Sequence, residues 1–229
     1  MAILLCSLLA TPLLPAQGTV EDVGAWFIFA GQGRFDPAPA EPQPWRWWFD
    51  GQLRFSDDSD GFDQSILRPG LGYALGEKTT LWLGYGWFHS DPAATPAHDE
   101  HRIWQQLTWD FGLGEQAFGS RTRLEQRFLD TGDDVGWRFR QMLRWTPPRD
   151  QASGIGLRVW DELFFGLNDT DWGASAGFDQ NRFFIGPGFT FGESNRFTFE
   201  VGYLHQYIRR ETGPDASNHI LFAQLLFTL

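Results

Sequence analysis

From about Ala25 onward, apolar residues alternate with polar or small ones in stretches of roughly ten residues, separated by turns rich in Gly, Asp, Asn and Pro. A two-residue period is the trace of a strand with two unlike faces, and no helical period competes with it. The pattern predicts strands over Gly24 to Gln32, Trp45 to Phe55, Gln64 to Leu75, Thr80 to Ser90, His101 to Phe111 and Ser120 to Leu129. It continues with Gly136 to Thr146, Ile155 to Leu167, Asn181 to Phe191, Arg196 to Tyr207 and Asn218 to Leu229. No linker or shift of composition interrupts the series, so residues 17–229 read as one domain.

The two faces differ in kind. Arg121, Arg123, Glu125 and Arg127 share one parity, with Thr122, Leu124, Gln126 and Phe128 on the other. Arg138, Arg140 and Arg144 likewise oppose Trp137, Phe139, Leu143 and Trp145. Elsewhere glycines stand opposite the large apolar residues, as Gly70 and Gly72 do against Leu71 and Tyr73. A soluble β-sandwich would alternate too, but it has no reason to gather aromatic residues near strand ends. Here Trp45, Trp47, Trp87, Trp109, Trp137, Trp145 and Phe227 do gather there, as in the aromatic girdles of outer-membrane barrels. An arginine facing lipid at mid-membrane would cost about 2–4 kcal/mol, so the arginine parity must face a lumen. The expected fold is therefore all-β, an antiparallel transmembrane β-barrel of about 10–12 strands.

Connection lengths suggest an orientation. Gly76 to Lys78 and Gly192 to Asn195 are short, whereas Asp91 to Glu100 and Asn168 to Gln180 are long and polar. Short turns belong on the periplasmic side of such barrels and long loops outside. Counting back from a periplasmic C-terminus gives ten strands, and Gly24 to Gln32 is then an eleventh that breaks the even number expected of a bacterial barrel. It would pack in the lumen, pair irregularly, or mark a miscount.

Residues 1–16 read as a signal peptide: Ala2 to Leu14 is apolar, and Leu14-Pro15-Ala16 resembles a signal-peptidase site, although the usual basic start is missing. A buried first helix is the alternative. The single cysteine, Cys6, lies in this leader, too near the start for a lipoprotein anchor, so the mature chain has no disulfide framework and no thiol chemistry. The chain ends Leu225-Leu226-Phe227-Thr228-Leu229, which resembles the C-terminal assembly signal of outer-membrane proteins, though with Leu in place of a final aromatic residue.

Net charge is −11, with acidic residues collected in turns such as Asp57-Asp58-Ser59-Asp60. This excludes nucleic acid, which needs a basic face. Lys78 is the only lysine, so nearly all positive charge is arginine.

The candidate functional constellation is lumenal: Arg68, Arg102, Arg121, Arg123, Arg127, Arg138, Arg140, Arg144, Arg158 and Arg182 with Asp110, Glu125, Glu162 and Glu200. Rows of guanidinium groups repel unless carboxylates or anions lie between them. Glu125 and Glu162 stand where structural counter-charges are needed, so an Arg-Glu network that fills the lumen is the first expectation. A narrow anion-selective channel or anionic-ligand transporter is the second. A third class, an envelope enzyme acting on lipid or lipopolysaccharide, needs a nucleophile beside a histidine on the barrel wall. His89-Ser90 fails as that pair, because adjacent strand residues point to opposite faces. His98-Asp99-Glu100-His101 has metal-ligand residue types but reads as part of a polar loop, so no metal site is expected there. Ser56 to Gly61 imitates the start of a calcium loop, but Leu67 stands where its last ligand should be. Gly70 to Thr79 misses the P-loop spacing and reads as a turn.

The runs Arg102-Ile103-Trp104-Gln105-Gln106-Leu107, Arg121 to Phe128, Trp137-Arg138-Phe139-Arg140, Asp161-Glu162-Leu163-Phe164 and Asp179-Gln180-Asn181-Arg182 together resemble the family catalogued as domain of unknown function 2490, from about Val23 to the C-terminus. The resemblance implies a Gram-negative outer-membrane barrel and brings no established activity or catalytic residues. The expectation is thus a non-enzymatic outer-membrane protein without cofactor. Its partners would be outer-membrane lipid, lipopolysaccharide and the barrel assembly machinery, with the acidic loops as candidates for loose divalent-cation binding.

Overall fold

The computed structural model describes residues 18–36, 43–56, 61–92, 95–148, 154–192 and 196–229; the proposed leader and the acidic turn at 57–60 lie outside them. All described elements are strands: β1 (Thr19–Arg34), β2 (Trp45–Ser56), β3 (Gly61–Ala74), β4 (Thr79–Ser90), β5 (His98–Leu113), β6 (Gln116–Leu129), β7 (Val135–Thr146), β8 (Ile155–Gly166), β9 (Gly177–Phe191), β10 (Phe197–Ile208) and β11 (Asp215–Thr228). Each pairs antiparallel with its sequence neighbours, and β1 closes the barrel against β11. An odd number of strands cannot alternate direction all the way round, so one pair must be parallel. That pair is β1 with β11, in register from Thr19 opposite Asp215 to Gln32 opposite Thr228. The segment Gly24 to Gln32 therefore lies in the wall, where it covers the edges that an open sheet would leave unpaired.

Several strands run further than alternation indicated. β5 begins at His98 and β9 at Gly177, which shortens the two long connections to residues 91–97 and 167–176. Both lie at the end opposite the C-terminus. The C-terminal end has the short turns 75–78 and 114–115, but also connections of comparable length at 35–44 and 147–154. Loop length alone therefore does not separate the two ends. The placement of His98 to Glu100 in a loop is corrected by the same extension. In β5, Glu100 turns inward and is buried, while Asp99 and His101 face out, where they bond to His89 and Tyr85.

Inward residues are even-numbered in every strand except β6, where they are odd. The cause is local. A two-residue turn, Gly114-Glu115 with Gly114 at φ 62°, joins Leu113 to Gln116, so paired residues have opposite parity. Bulges interrupt the register at Arg54/Phe55 and at Phe164/Phe165.

The interior divides into two halves. Trp26, Trp160, Phe184, Leu204, Ile220 and Phe222, from β1 and β8 to β11, form an apolar cluster with Ile28 and Met142 against it. The opposite half is built from arginine, carboxylate and amide side chains. Between them Trp104, fully buried, lies flat over β3 and β4, with its indole N–H donating to the Tyr85 carbonyl at 3.1 Å. Only glycine fits beneath it: a Cβ on Gly84 would fall 2.0 Å from Trp104 Cζ2, and one on Gly70 would fall 2.5 Å from Cη2.

Gly84→Ala is therefore expected to lower stability by about 1–3 kcal/mol through overpacking. Gly76→Ala, with nothing within 4 Å, should leave it unchanged. Urea unfolding of the two refolded variants checks this.

Candidate functional site: the charged interior

The strands of the polar half carry inward arginines at successive same-face positions, and cross-strand pairing sets carboxylates beside them. Glu125, 1% exposed, pairs with Arg138 across the β6/β7 ladder and accepts from its Nε and Nη2 at 3.0 and 2.7 Å. The same carboxylate accepts from Arg140 Nη1 at 2.6 Å and lies 3.6 Å from both Arg102 and Arg123. Arg140 turns its other edge to Glu162, giving two parallel bonds of 3.0 Å, and Arg121 Nη2 adds a third to Glu162 at 3.0 Å. Beyond Glu125, Arg102 grips Glu100 through Nε and Nη2 at 2.8 and 2.7 Å, and Arg127 joins the same carboxylate. Alternating charges thus run Glu100, Arg102, Glu125, Arg140, Glu162, Arg121 down the interior.

Two smaller clusters flank this chain. Asp50 accepts from Arg68 Nε at 2.9 Å, from Trp48 Nε1 at 2.9 Å and from Gln52 at 3.0 Å. Glu200, fully buried, accepts two bonds from Arg144 across the lumen and lies 3.6 Å from Arg158. Arg182 sits across the ladder from Glu162, yet no carboxylate among the described residues is within 4.0 Å of its guanidinium. Asp110 stands exposed at the C-terminal rim, likewise without a cation at that distance. Sequence reasoning missed Asp50, Glu100 and Arg54. Asp50 and Arg54 share the inward parity of β2, a signal available in the pattern. Asp179 was also missed: it sits at the β8/β9 bulge, and its carboxylate lies 3.3 Å from Arg138.

Aromatic faces take the remaining positive charge. Arg102 stacks 3.5 Å from the Phe88 ring centre, Arg140 4.4 Å from Phe164, and Arg54 3.9 Å from Trp26. Arg123 bonds to Gln106 through Nε, has no hydrogen-bond partner for Nη1 or Nη2, and lies 4.6 Å from the Trp104 ring. A desolvated contact of this kind is worth about 2 kcal/mol, which gives the Trp104 seat over glycine an electrostatic purpose.

At the end opposite the C-terminus, one connection folds back over its neighbours. In the 167–176 connection, Trp172 packs where side chains on Gly132 and Gly136 would collide with it, donates to the Asp134 carbonyl at 2.8 Å, and lies under Arg127. Asp171 accepts from the N–H groups of Asp133 and Asp134, which hold its carboxyl below the usual aspartate range. A cavity of about 250 Å³ lies in the interior, lined by Gln32, Asp110, Arg144 and Leu226 toward the C-terminal end and by the ion-paired Arg121, Arg140 and Glu162 deeper in.

On the outer face, His89 bonds to Asp99 at 2.7 Å while the adjacent Ser90 is buried and accepts from Gln64. Another pair is closer to enzyme geometry: His205 Nε2 and Ser217 Oγ, on neighbouring strands β10 and β11, are 3.0 Å apart. Among the described residues, His89 with Asp99 is the only histidine–carboxylate pair, so His205 has no acid to orient it.

A family described as protein of unknown function (DUF2490) matches residues 23–218. An uncharacterised protein of Methylorubrum extorquens is 37% identical over 176 residues, covering 76% of each chain. No solved structure matches.

The geometry makes Glu125 the most costly carboxylate to neutralise. Glu125→Gln strands the guanidiniums of Arg138 and Arg140, at about 3–5 kcal/mol for a buried charge without its partner. In the simpler pair, Asp50→Asn should be strongly destabilising alone, and much less so combined with Arg68→Met, which leaves no charge behind. Unfolding midpoints of the single and double variants decide it; equal losses would contradict the pairing.

Proposed function

The chain belongs to the DUF2490 family, and we propose that it is a non-enzymatic barrel of the bacterial outer membrane whose ion-paired interior keeps it closed and serves the envelope structurally. The observation that carries this reading is the inversion of its two faces. Outward residues such as Phe29, Leu53, Leu83 and Leu221 are about half exposed (52%, 49%, 56% and 54%), while the carboxylates Asp50, Glu125, Glu162 and Glu200 are within 2% of full burial. Such an apolar surface far exceeds the patches a soluble monomer tolerates, and hydrocarbon is the solvent that suits it. Aromatic belts near both rims support the same reading. Trp109, Phe111 and Phe118 stack at the C-terminal end, and Phe165, Phe178 and Tyr207 gather at the other. An ion crossing the lumen would have to break the alternating chain from Glu100 to Arg121, which argues for closure.

Fractionation should recover the mature protein in the outer membrane, with faster gel migration unheated than boiled, and planar bilayers should record little steady conductance. A soluble periplasmic product would refute the location. A steady anion-selective current would put the channel reading in place of the closed one.

A second reading, hydrolysis of lipid esters, is favoured by one observation, the 3.0 Å contact of His205 with Ser217 on the outer wall. The missing acid weighs against it. Purified protein is expected to show no esterase activity above that of Ser217→Ala, and hydrolysis that vanishes in the variant would establish the enzyme instead.

A further inference from the structure

The cavity at the C-terminal end has two unlike walls. On one, Arg68, Arg140 and Arg144 are each engaged by a carboxylate, Asp50, Glu162 and Glu200 respectively. Arg54 and Arg182, which line the same space, are not. Among the described residues neither has a carboxylate oxygen within 4.0 Å. Arg54 gives its Nη atoms to the amide oxygens of Gln52 and Gln64 at 2.7 and 3.0 Å, and its buried Nε has no partner. Arg182 bonds through Nε to Gln180 at 3.2 Å, while the Glu162 oxygens opposite it are taken by Arg121 and Arg140. Both guanidiniums lie against one ring, Trp26, at 3.9 and 4.8 Å, so two like charges share a single aromatic ring. Arg121, also in the lining, has a buried Nε without a partner. The other wall is apolar, formed by Ile28, Met142, Trp160 and Phe222.

Two interior cations held against one ring, Arg54 buried and Arg182 half-buried, are costly without an acid beside them unless something anionic joins them. An oxyanion between them would supply acceptors in the planar geometry guanidinium prefers. The apolar wall adds a second requirement, since a bare inorganic ion would leave Trp160 and Phe222 facing empty space. At about 250 Å³ the volume lies just below the range of about 300–1,000 Å³ typical of drug-sized ligands.

We propose that this cavity binds a small organic anion, a carboxylate or phosphate monoester whose head lies between Arg54 and Arg182 and whose short apolar body lies against Trp160, Phe222 and Met142. The ion-paired floor makes the site blind: it captures from the C-terminal end and does not pass its ligand through. This goes beyond the reading of a closed barrel and does not depend on cellular location. Fractionation can fail while binding holds, and the reverse.

The test is titration calorimetry on the purified full-length mature barrel in a neutral detergent. The probes are benzoate, phenyl phosphate, benzyl alcohol and inorganic phosphate. Benzoate or phenyl phosphate should bind saturably and at least tenfold more tightly than either benzyl alcohol or inorganic phosphate. Arg54→Gln and Arg182→Gln should each weaken that binding at least tenfold. Because neither arginine has a carboxylate within 4.0 Å among the described residues, both variants should fold in normal yield and unfold, without ligand, at or above the wild-type temperature. The proposal is overturned by no saturable binding of any probe, by inorganic phosphate or benzyl alcohol binding as tightly as the aromatic anions, or by unchanged affinity in the variants. A clear fall in the ligand-free unfolding temperature of Arg182→Gln would also overturn it, by showing that the protein itself already compensates that charge.

Discussion

More guanidinium than carboxylate is sealed inside this barrel, and the interior is organised by that imbalance. In water a spare arginine is harmless. In a closed interior of low dielectric each bare charge is expensive, so every acid must serve more than one base. Glu125 shows the solution, with four arginines within 3.6 Å of its oxygens. Arg140 shows the reciprocal one, spanning two acids with its two edges, a task to which a planar fork is suited and an ammonium is not. The single lysine of the chain lies outside the strands, at Lys78.

Where acids run out, aromatic faces take over. Phe88, Trp104, Phe164 and Trp26 each lie within 5 Å of at least one guanidinium carbon. This second sink dictates backbone features that carry no charge. Trp104 can lie flat beneath Arg123 because Gly70 and Gly84 remove the side chains that would lift it. The glycine-rich parity of β3 and β4, unremarkable as sequence, is thus part of the electrostatic arrangement.

Local alternation made the strands legible, and even the odd parity of β6 is visible in Arg121, Arg123, Glu125 and Arg127, because face assignment depends only on neighbours along the chain. Partners across the lumen were not legible. Arg121 meets Glu162 and Arg144 meets Glu200 over separations of 41 and 56 residues. Those contacts depend on stagger and curvature, which no single strand encodes. Bulges hide more: Asp179 reaches Arg138 from a position where the register shifts, so simple parity cannot assign it. Glu100 was masked differently, by polar neighbours that made a strand start look like a loop.

The parallel seam and the division of the interior are connected. A parallel ladder is slightly less stable per residue than an antiparallel one, and β1 against β11 is the single place where this barrel has to use it. Behind that seam lie Trp26, Ile220 and Phe222, packed with Trp160, Phe184 and Leu204, while the carboxylates paired to inward arginines stand on β2, β5, β6, β8, β9 and β10 rather than on the seam strands. Apolar packing stabilises without demanding exact register, whereas an ion-pair row placed there would make the weakest ladder also carry the strictest geometry. The arrangement has a cost at the border between the halves. Arg54 and Arg182 lie against Trp26, where aromatic surface is abundant and no carboxylate of the described residues comes within 4.0 Å of either guanidinium. These two cations thus sit where the charged lattice meets the apolar cluster that backs the seam, and the same junction gives the cavity its two unlike walls.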